Sequence, residues 1–423
     1  MDNGNDRHFF VTGGKKLGGQ VSIEGSKNAV LVCMAAACLG DEESVITLTN
    51  VPDISDVRVM ADILRTLGKK ITFENGVMEI TGKLAYTERT GELCGAIRGS
   101  VYCLGLMMGA LGKAYLGLPG GDRIGERPID IHLDSLEMMG MEYECANGML
   151  KAWAPQGLTG RHIFLRFPSV GATCNIILAA TGASGKTVIS NCAKEPEIVD
   201  LANLLSEMGI RITGAGSDKI SIVGKERIHA NITHEVISDR IETGVFLTAV
   251  AITGGEAVIQ NCIPYHNYPL LSVLERVGIE IKAGDSEIWI KGKESIRPLR
   301  VTTMPFPGLA TDLQPMLTVL AMKGAGESTI TDLVFPDRFS YVQQLERLGA
   351  DVLRSGNTVR VRGGKRLTGA FVWGSDIRAV TALICAGLIA DGITEVEGMY
   401  HIQRGYKDFI PKLNHLGACV EIR

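Results

Sequence analysis

An apolar helical pattern that ends in Leu-Gly, Met-Gly or, once, Val-Gly and continues into alternating apolar and polar residues recurs along the chain. A glycine at this position is typical of a left-handed helix C-cap, and the alternation that follows it, as in residues 210–212, predicts a half-buried strand. The pattern occurs six times at intervals of 68 to 72 residues, and its glycines are Gly68, Gly140, Gly209, Gly278, Gly349 and Gly417.

Each repeat also contains an earlier helix of small apolar residues. This helix is predicted to stop at a second set of glycines, namely Gly40, Gly112, Gly185, Gly255, Gly326 and Gly392. Alanine runs such as 35–37 allow helices to pack closely, and a further β-type run follows each helix. Six two-helix modules of about 70 residues fill nearly the whole chain. We therefore predict an α/β protein of six repeats, with three repeats in each compact domain of about 210 residues.

Composition supports this prediction and excludes several protein classes. The 423 residues are 45% hydrophobic but only 5% aromatic, as expected for helices packed through small side chains. No stretch reaches the ~18–20 apolar residues of a membrane-spanning helix, and the first ten residues lack the pattern of a secretory signal. Because 43 Lys and Arg face 47 Asp and Glu, there is no basic field for a nucleic acid. We expect a cytoplasmic protein without membrane insertion or a nucleic-acid partner.

The ten cysteines are scattered and form no C-x-x-C pair. Most of them stand among Ala, Leu and Ile, so each is expected to be buried and inert. No metal-ligand spacing is visible in the sequence, and we expect no metal.

Two N-terminal segments combine glycine with ionisable residues. Lys27 and Asn28 open the first small-residue helix, where free backbone N–H groups and the helix dipole favour an anion. A solvated lysine is the structural alternative. The glycine-rich loop 118–130 contains Asp122, Arg123, Glu126, Arg127 and Asp130, which predicts either a mobile functional loop or a surface turn held by salt bridges.

Further polar clusters stand beside the ends of apolar elements, at 168–173, 310–314, 375–378 and 402–406. Asp312 and Asp376 each precede a predicted helix, where an aspartate is commonly a cap. Because several repeats place a charged cluster at comparable positions, a functional role is the stronger hypothesis for the set.

Seven segments of the chain together resemble the enolpyruvyl transferases, in order and over nearly the full length. They are Gly-Ser-Lys-Asn-Ala at 25–29, Pro-Gly-Gly at 119–121 with Ile-Gly-Glu-Arg-Pro at 124–128, Phe-Pro-Ser-Val-Gly-Ala-Thr at 167–173, Glu-Pro-Glu-Ile-Val-Asp at 195–200, Asp-Arg-Ile-Glu-Thr-Gly at 239–244, Thr-Asp-Leu-Gln at 311–314 and Tyr-His-Ile-Gln-Arg-Gly-Tyr at 400–406. The resemblance is strongest to members that use UDP-N-acetylglucosamine.

The resemblance implies a two-domain inside-out α/β barrel built from the six repeats. The first domain would contain residues 1–26 and 238–423. The second would contain 27–237 and carry the mobile loop 118–130. A monomer without an organic cofactor is implied.

The resemblance also implies transfer of the enolpyruvyl group of phosphoenolpyruvate to the 3′-hydroxyl of UDP-N-acetylglucosamine, with release of phosphate, as the first committed step of peptidoglycan biosynthesis. The residues implied to bind phosphoenolpyruvate are Lys27, Asn28, Arg127, Arg378 and Arg404. Those implied to bind the UDP-sugar are Arg98, Arg127, Pro128, Ile129, Asp130, Ile131, Ser169, Val170, Gly171, Asp312 and Val334. The catalytic set is Asp122, Asp312, Lys27, Arg404 and Asp376, with Asp312 as the base near the sugar hydroxyl.

The sequence departs from the family pattern at several positions. Asp122 stands where many members carry a cysteine, which implies insensitivity to fosfomycin because the drug alkylates that thiol. Arg123 beside it is expected to lower the pKa of this carboxyl group. Gln403 replaces a usual aspartate, and residues 306–310 and Phe167 also differ. Three alternatives remain: another nucleotide acceptor, shikimate 3-phosphate as acceptor, and a non-catalytic paralogue that binds UDP-sugars.

Overall fold

The order of helices and strands in the computed structural model, which describes residues 7–122 and 124–423, repeats the same module six times. The helices are α1 (Lys27–Ala37), α2 (Ser55–Thr66), α3 (Gly91–Cys94), α4 (Tyr102–Leu111), α5 (Asp130–Met138), α6 (Val170–Ala180), α7 (Pro196–Glu207), α8 (Arg240–Thr253), α9 (Tyr268–Val277), α10 (Gln314–Ala321), α11 (Val342–Arg347), α12 (Ile377–Gly387), α13 (Met399–Gly405) and α14 (Phe409–His415). Short 3₁₀ helices span Arg98–Val101, Pro264–Asn267 and Thr311–Leu313.

The strands follow the same sixfold repeat. They are β1 (Phe9–Thr12), β2 (Gly18–Ser22), β3 (Val45–Thr49), β4 (Lys70–Glu74), β5 (Val77–Thr81), β6 (Lys113–Gly117), β7 (Glu142–Ala146), β8 (Met149–Trp153), β9 (His162–Phe164), β10 (Lys186–Ser190), β11 (Arg211–Thr213), β12 (Lys219–Val223), β13 (Asn231–Glu235), β14 (Glu256–Gln260), β15 (Glu280–Ala283), β16 (Glu287–Lys291), β17 (Arg300–Thr303), β18 (Glu327–Asp332), β19 (Asp351–Ser355), β20 (Thr358–Arg362), β21 (Phe371–Trp373), β22 (Ile393–Glu397) and β23 (Cys419–Ile422).

The described chain divides into two compact units, each with its own apolar core. The first unit contains residues 7–24, 122, 124–126 and 238–423, and the second contains 25–121 and 127–237. The sequence predicts that residues 25 and 26 belong to the first domain and that the whole loop 118–130 belongs to the second. In the structure, residues 25 and 26 group with the second unit, and the described residues of the loop tip group with the first.

Each unit contains three helices that are buried on nearly all sides, which are α1, α4 and α6 in the second unit and α8, α10 and α12 in the first. A helix that is apolar all round belongs inside a protein. A methyl group at Gly105 of α4 would lie only 2.5 Å from the carbonyl oxygen of Asn175 in α6, so this glycine is required for the close approach of the two helices. The expected packing of helices through small residues is confirmed.

The strands of the described residues form six sheets, three in each unit. Five have four strands, and one, β6-β8-β7, has three. Strands bury alternate residues, as in β18, where Ser328, Ile330 and Asp332 are buried and their neighbours are not. Each sheet therefore covers buried helices with one face, which confirms the inside-out α/β arrangement with three repeats per unit.

The six glycines that define the repeat all have positive φ, from 83° at Gly209 to 104° at Gly140, as the predicted helix C-caps require. The second set of glycines is less uniform. Gly40 does not have positive φ, and the left-handed residue after α8 is Gly254 rather than Gly255. The prediction for the cysteines also fails in part, because Cys145 is exposed. No helix among the described residues is long and apolar enough to cross a membrane.

Candidate functional site

Several of the predicted site residues lie at the N-terminal ends of the buried helices. Lys27 begins α1, Arg98 begins the 3₁₀ turn before α4, Val170 begins α6, Asp312 lies in the turn before α10, and Arg378 is the second residue of α12. Helix N-termini present unpaired N–H groups and a positive partial charge. Within each unit, the sixfold repeat therefore places charged side chains at equivalent, anion-attracting positions.

In the second unit, Lys27 is held beside a carboxylate at the start of α1. The side chain of Ser26 caps this helix by accepting a hydrogen bond from the N–H of Ala29 at 3.3 Å. The Nζ atom of Lys27 lies 2.8 Å from Oδ2 of Asp56, and both side chains are largely buried. Asn28 follows on the same helix. Asp56, in the first turn of α2, thus fixes the position of the Lys27 ammonium group.

Arg98 and Arg127 approach each other beside Gly121. A methyl group at Gly121 would lie 3.0 Å from Cβ of Arg98 and 3.5 Å from Nη1 of Arg127. Nη2 of Arg98 donates to the carbonyl of Pro128 at 3.4 Å, and among the described residues no carboxylate lies within 4 Å of its guanidinium group. Partial burial lowers the pKa of Arg98. A desolvated guanidinium group without a carboxylate partner is suited to an anionic ligand.

The remaining predicted site residues of the second unit lie at the starts of α5 and α6. Asp130, which begins α5 after Ile129 and before Ile131, forms an ion pair with Arg166. Ser169 caps α6 by accepting from the N–H of Ala172 at 3.3 Å. Gly171 has no room for a side chain, because a methyl group there would lie 2.8 Å from Cε1 of His132.

His132 is a buried neutral group in this region. Its Nδ1 accepts a hydrogen bond from Asn175 at 2.9 Å, and it lies under the start of α6 at Gly171. Burial, with a contribution from the Arg98 charge, lowers the pKa of His132 to about 3. The imidazole therefore stays uncharged at neutral pH.

In the first unit, one carboxylate holds two guanidinium groups. Oδ1 of Asp312 accepts hydrogen bonds from Nη2 of Arg338 at 3.1 Å and from Nε of Arg378 at 3.0 Å. Burial by itself would raise the pKa of Asp312, but these two cations outweigh it and hold the pKa well below its usual range. Arg378 also donates to the hydroxyl of Tyr406, and burial raises the pKa of Tyr406 to about 12.

The loop that carries Val334 is fixed by a second buried carboxylate. Asp332 accepts from the N–H of Val334 at 2.9 Å and from the hydroxyl of Thr311 at 2.7 Å. Thr311 lies next to Asp312, and its hydroxyl also accepts from Arg338 at 3.3 Å. Asp332 therefore couples the Val334 loop to the Asp312 cluster.

Asp122 accepts hydrogen bonds from donors of the first unit. Its Oδ1 lies 2.7 Å from Nη1 of Arg404 and 3.1 Å from Nδ1 of His401, and its Oδ2 accepts from the N–H of Ile377 at 3.3 Å. Asp376, one residue earlier, is 2% exposed and caps α12 by accepting from the N–H groups of Arg378 and Ala379. The expected effect of Arg123 on Asp122 concerns a residue that lies outside the described part of the chain.

The start of α12 thus contacts the carboxylates of both Asp122 and Asp312. The main-chain N–H of Ile377 donates to Asp122, and the side chain of the next residue, Arg378, donates to Asp312. Of the predicted residues in this unit, the structure brings Asp122, Asp312, Arg378 and Arg404 into one hydrogen-bonded region, with Asp376 as the helix cap.

Several residues with close contacts to this set were not selected from the sequence, His132 and Asp332 among them. His401 and Tyr406 stand inside the 400–406 motif, so their positions could have been used. Asp56 and Arg338 gave no local signal, because their roles depend on contacts with residues 29 and 26 positions away.

Three comparisons with known proteins show the family to which the chain belongs. The profile of the EPSP synthase (3-phosphoshikimate 1-carboxyvinyltransferase) family matches residues 11–413. UDP-N-acetylglucosamine 1-carboxyvinyltransferase 1 from Staphylococcus aureus (strain MRSA252) is 42% identical over 416 residues, which is 98% of both chains.

Among solved structures, the enolpyruvyl transferase NikO from Streptomyces tendae matches with a TM-score of 0.89 at 25% identity, over 99% of both chains. An EPSP synthase from Acinetobacter baumannii shares the fold, with a TM-score of 0.77 at 18% identity over 99% of this chain and 100% of its own. The chain belongs to the EPSP synthase family of enolpyruvyl transferases.

Proposed function

We propose that this protein transfers the enolpyruvyl group of phosphoenolpyruvate to the 3′-hydroxyl of UDP-N-acetylglucosamine and releases phosphate, in peptidoglycan synthesis. Similarity to a UDP-N-acetylglucosamine 1-carboxyvinyltransferase over 98% of both chains supports the acceptor. The structural observation that carries the proposal is the start of α12, where Asp122 and Asp312 are held by adjacent residues. Two positioned carboxylates match a reaction that adds one proton and removes two.

The overall reaction needs balanced proton transfers. A proton is added to the methylene carbon of phosphoenolpyruvate while the sugar oxygen attacks the adjacent carbon and loses its own proton. The tetrahedral intermediate then loses phosphate and a proton from the new methyl group. The enzyme must therefore supply cations for the phosphate and carboxylate groups, and acid and base groups for the protons.

For phosphoenolpyruvate we propose Lys27, Asn28, Arg127, Arg378 and Arg404 as ligands. Guanidinium groups suit this task because they remain charged and present paired donors to carboxylate and phosphate oxygens. In the described structure, Arg378 contacts Asp312 and Arg404 contacts Asp122. A bound trianionic substrate would compete with these carboxylates for the two cations.

For the UDP-sugar we propose two groups of ligands. The cationic and helix-start group consists of Arg98, Arg127, Pro128, Ile129, Asp130, Ile131, Ser169, Val170 and Gly171. The other group consists of Asp312 and Val334. Asp312 would accept the proton of the sugar hydroxyl. It becomes a stronger base when phosphoenolpyruvate draws Arg378 away, because loss of a neighbouring cation raises the pKa of a carboxyl group.

Asp122 is our proposed proton donor to the methylene carbon, assisted by Lys27 and Arg404, with Asp376 in a subsidiary role. The contacts of Asp122 with Arg404 and His401 give its carboxyl group two side-chain neighbours that can respond to substrate. Because the position holds no thiol, we further propose that fosfomycin does not inactivate the protein. We also propose that the protein is a monomer that acts in the cytoplasm during cell wall formation and cell division.

The direct test is phosphate release by the purified protein from phosphoenolpyruvate with UDP-N-acetylglucosamine. Parallel reactions replace this acceptor with shikimate 3-phosphate, another UDP-sugar or buffer. We expect release that depends on both substrates and is fastest with UDP-N-acetylglucosamine. Release only with another acceptor would refute the proposed acceptor, and binding of UDP-N-acetylglucosamine without any phosphate release would identify a non-catalytic paralogue.

A further inference from the structure

A cluster of metal-ligating side chains lies inside the second unit, apart from the residues assigned above to substrates. Sγ of Cys33 lies 3.6 Å from Oδ2 of Asp200, and Nε2 of His234 lies 3.2 Å from Oδ1 of Asp200. One ligand atom from each of the three residues lies within 4.8 Å of the other two. A thiol, a carboxylate and an imidazole thus converge on one point.

Three separate elements bring these side chains together. Cys33 lies in the middle of α1, Asp200 on α7, and His234 on β13. Their exposures are 0%, 2% and 5%, so water has little access to any of them. Sequence spacing could not reveal the cluster, because Asp200 is 167 residues from Cys33 and 34 residues from His234.

The separations match those of ligands around a zinc ion. With Zn–S near 2.3 Å, and Zn–N and Zn–O near 2.0–2.2 Å, tetrahedral geometry places sulfur and oxygen about 3.6 Å apart and nitrogen and oxygen about 3.4 Å apart. The corresponding distances are 3.6 Å from Sγ of Cys33 to Oδ2 of Asp200 and 3.2 Å from Nε2 of His234 to Oδ1 of Asp200. The thiol and the imidazole thus lie against different oxygens of one carboxylate, and one ligand atom of each residue lies within 4.8 Å of the others, close enough for a shared ion.

A fourth residue supplies the outer contact that zinc-bound histidines usually have. Nδ1 of His234 lies 3.0 Å from Oε2 of Glu207, at the last position of α7. Glu207 orients the imidazole so that Nε2 faces Asp200. Carboxylate–histidine–zinc arrangements use this contact to fix the ring and strengthen the ligand.

We propose that Cys33, Asp200 and His234 bind a zinc ion, with Glu207 orienting His234. Thiolate and imidazole ligands favour zinc over magnesium or calcium. The three residues supply three of the four positions of a tetrahedral zinc site. The ion stabilises the second unit by joining α1, α7 and β13. Because Cys33 is six residues after Lys27, the ion lies about 9 Å along the helix that carries Lys27.

The test measures zinc binding by the full-length chain after removal of metal with a chelator. All variants are made in a Cys145→Ser background, so that this exposed thiol does not contribute. Equilibrium dialysis against ZnCl₂ is expected to give one zinc ion per chain, and CoCl₂ is expected to give a thiolate-to-cobalt absorption band. Cys33→Ser and His234→Gln should lose the band and the bound ion. Cys385→Ser, a buried cysteine of the first unit, should keep both.

Glu207→Gln provides a milder test, because Glu207 is partly exposed and its replacement by an amide of the same shape is expected to keep the fold. It should weaken zinc affinity by about 10- to 100-fold. Zinc should also raise the melting temperature of the parent chain but not that of Cys33→Ser. Less than one strongly bound zinc per chain, a cobalt complex without the thiolate band, or full binding by Cys33→Ser would overturn the proposal. Circular dichroism confirms that each variant is folded.

Discussion

The two units are built from the same three-repeat frame but treat charge differently. In the first unit, three cations of the site are paired with carboxylates: Asp312 holds Arg338 and Arg378, and Asp122 holds Arg404. In the second unit, Lys27 has the carboxylate of Asp56, whereas Arg98 has a main-chain carbonyl as its hydrogen-bond acceptor.

Because of this difference, we expect the charged side chains of the two units to have different roles. A carboxylate that shares guanidinium groups can exchange protons when a substrate displaces one of its partners. A desolvated guanidinium group without a carboxylate can instead bind an anionic ligand directly. We therefore expect the first-unit cluster to control both stability and chemistry, and Arg98 of the second unit to control mainly substrate affinity.

The largest effect is expected from Asp312→Ala. It leaves Arg338 and Arg378 without their shared carboxylate, so phosphate release should fall by about 10²- to 10⁴-fold. The free energy of unfolding should fall by about 2–3 kcal/mol, less than for a fully buried pair because a quarter of the Asp312 side chain is exposed. Steady-state assays and denaturant unfolding measure the two effects.

Asp337→Ala is the matched control in the same unit. Asp337 is mostly exposed and pairs with Arg354 at 3.0 Å, so its loss should cost under about 1 kcal/mol. Equal destabilisation by the two substitutions would mean that the Asp312 cluster is an ordinary surface pairing.

Asp122→Asn should reduce phosphate release by about 10²-fold or more, because an amide cannot deliver the required proton. Asp122→Cys restores an ionisable group and should keep measurable activity. This variant should also become progressively inactivated by fosfomycin, while the parent chain does not. Near-normal turnover of Asp122→Asn would remove Asp122 from the acid role, and progressive inactivation of the parent chain would contradict its insensitivity.

Arg98→Ala tests the second-unit side of the comparison. We expect KM for UDP-N-acetylglucosamine to rise by about 10- to 100-fold, in the range of a lost charged hydrogen bond, while kcat changes little. The melting temperature should change little, because no carboxylate in the described structure depends on Arg98. A large loss of stability without a change in KM would show that Arg98 has a structural role.

A pH dependence of stability is expected to originate at His132 and to be absent at neutral pH. Its pKa is about 3 in the folded chain against a reference near 6.5, so the unfolded chain binds more protons between these values. Stability should therefore fall as pH drops below about 6.5, by about 2 kcal/mol at pH 5 from this group.

His132→Gln removes the titrating group and keeps a side chain that can accept from Asn175. The melting temperature of this variant should depend less on pH between 5 and 7 than that of the parent chain. Identical pH profiles for the two proteins would exclude His132 as the source.

The sequence predicted the repeat well because its signals are local. A glycine such as Gly209 marks a helix end by its own backbone requirement, and the alternation in β18 follows from one buried face. The same local logic placed Lys27 and Asp376 at helix starts, where the structure has them.

Contacts between distant segments could not be predicted in this way. Arg338 reaches Asp312 only because the chain after β18 returns to the start of α10, and Asp56 reaches Lys27 from a second helix. The buried set of Cys33, Asp200 and His234 depends on three elements far apart in sequence. Burial also gives His132 a pKa that its surrounding sequence does not indicate.

The most direct test of the account is identification of the product formed from phosphoenolpyruvate and UDP-N-acetylglucosamine. Phosphoenolpyruvate labelled with ¹⁴C in its three-carbon unit is incubated with the protein, and the nucleotide-sugar fraction is isolated. We predict one labelled enolpyruvyl ether at the 3′-oxygen for each phosphate released, with both lost in Asp312→Ala. Release of phosphate without formation of a labelled nucleotide sugar would contradict the proposed reaction. Failure to release phosphate, even with an excess of either substrate, would also contradict it.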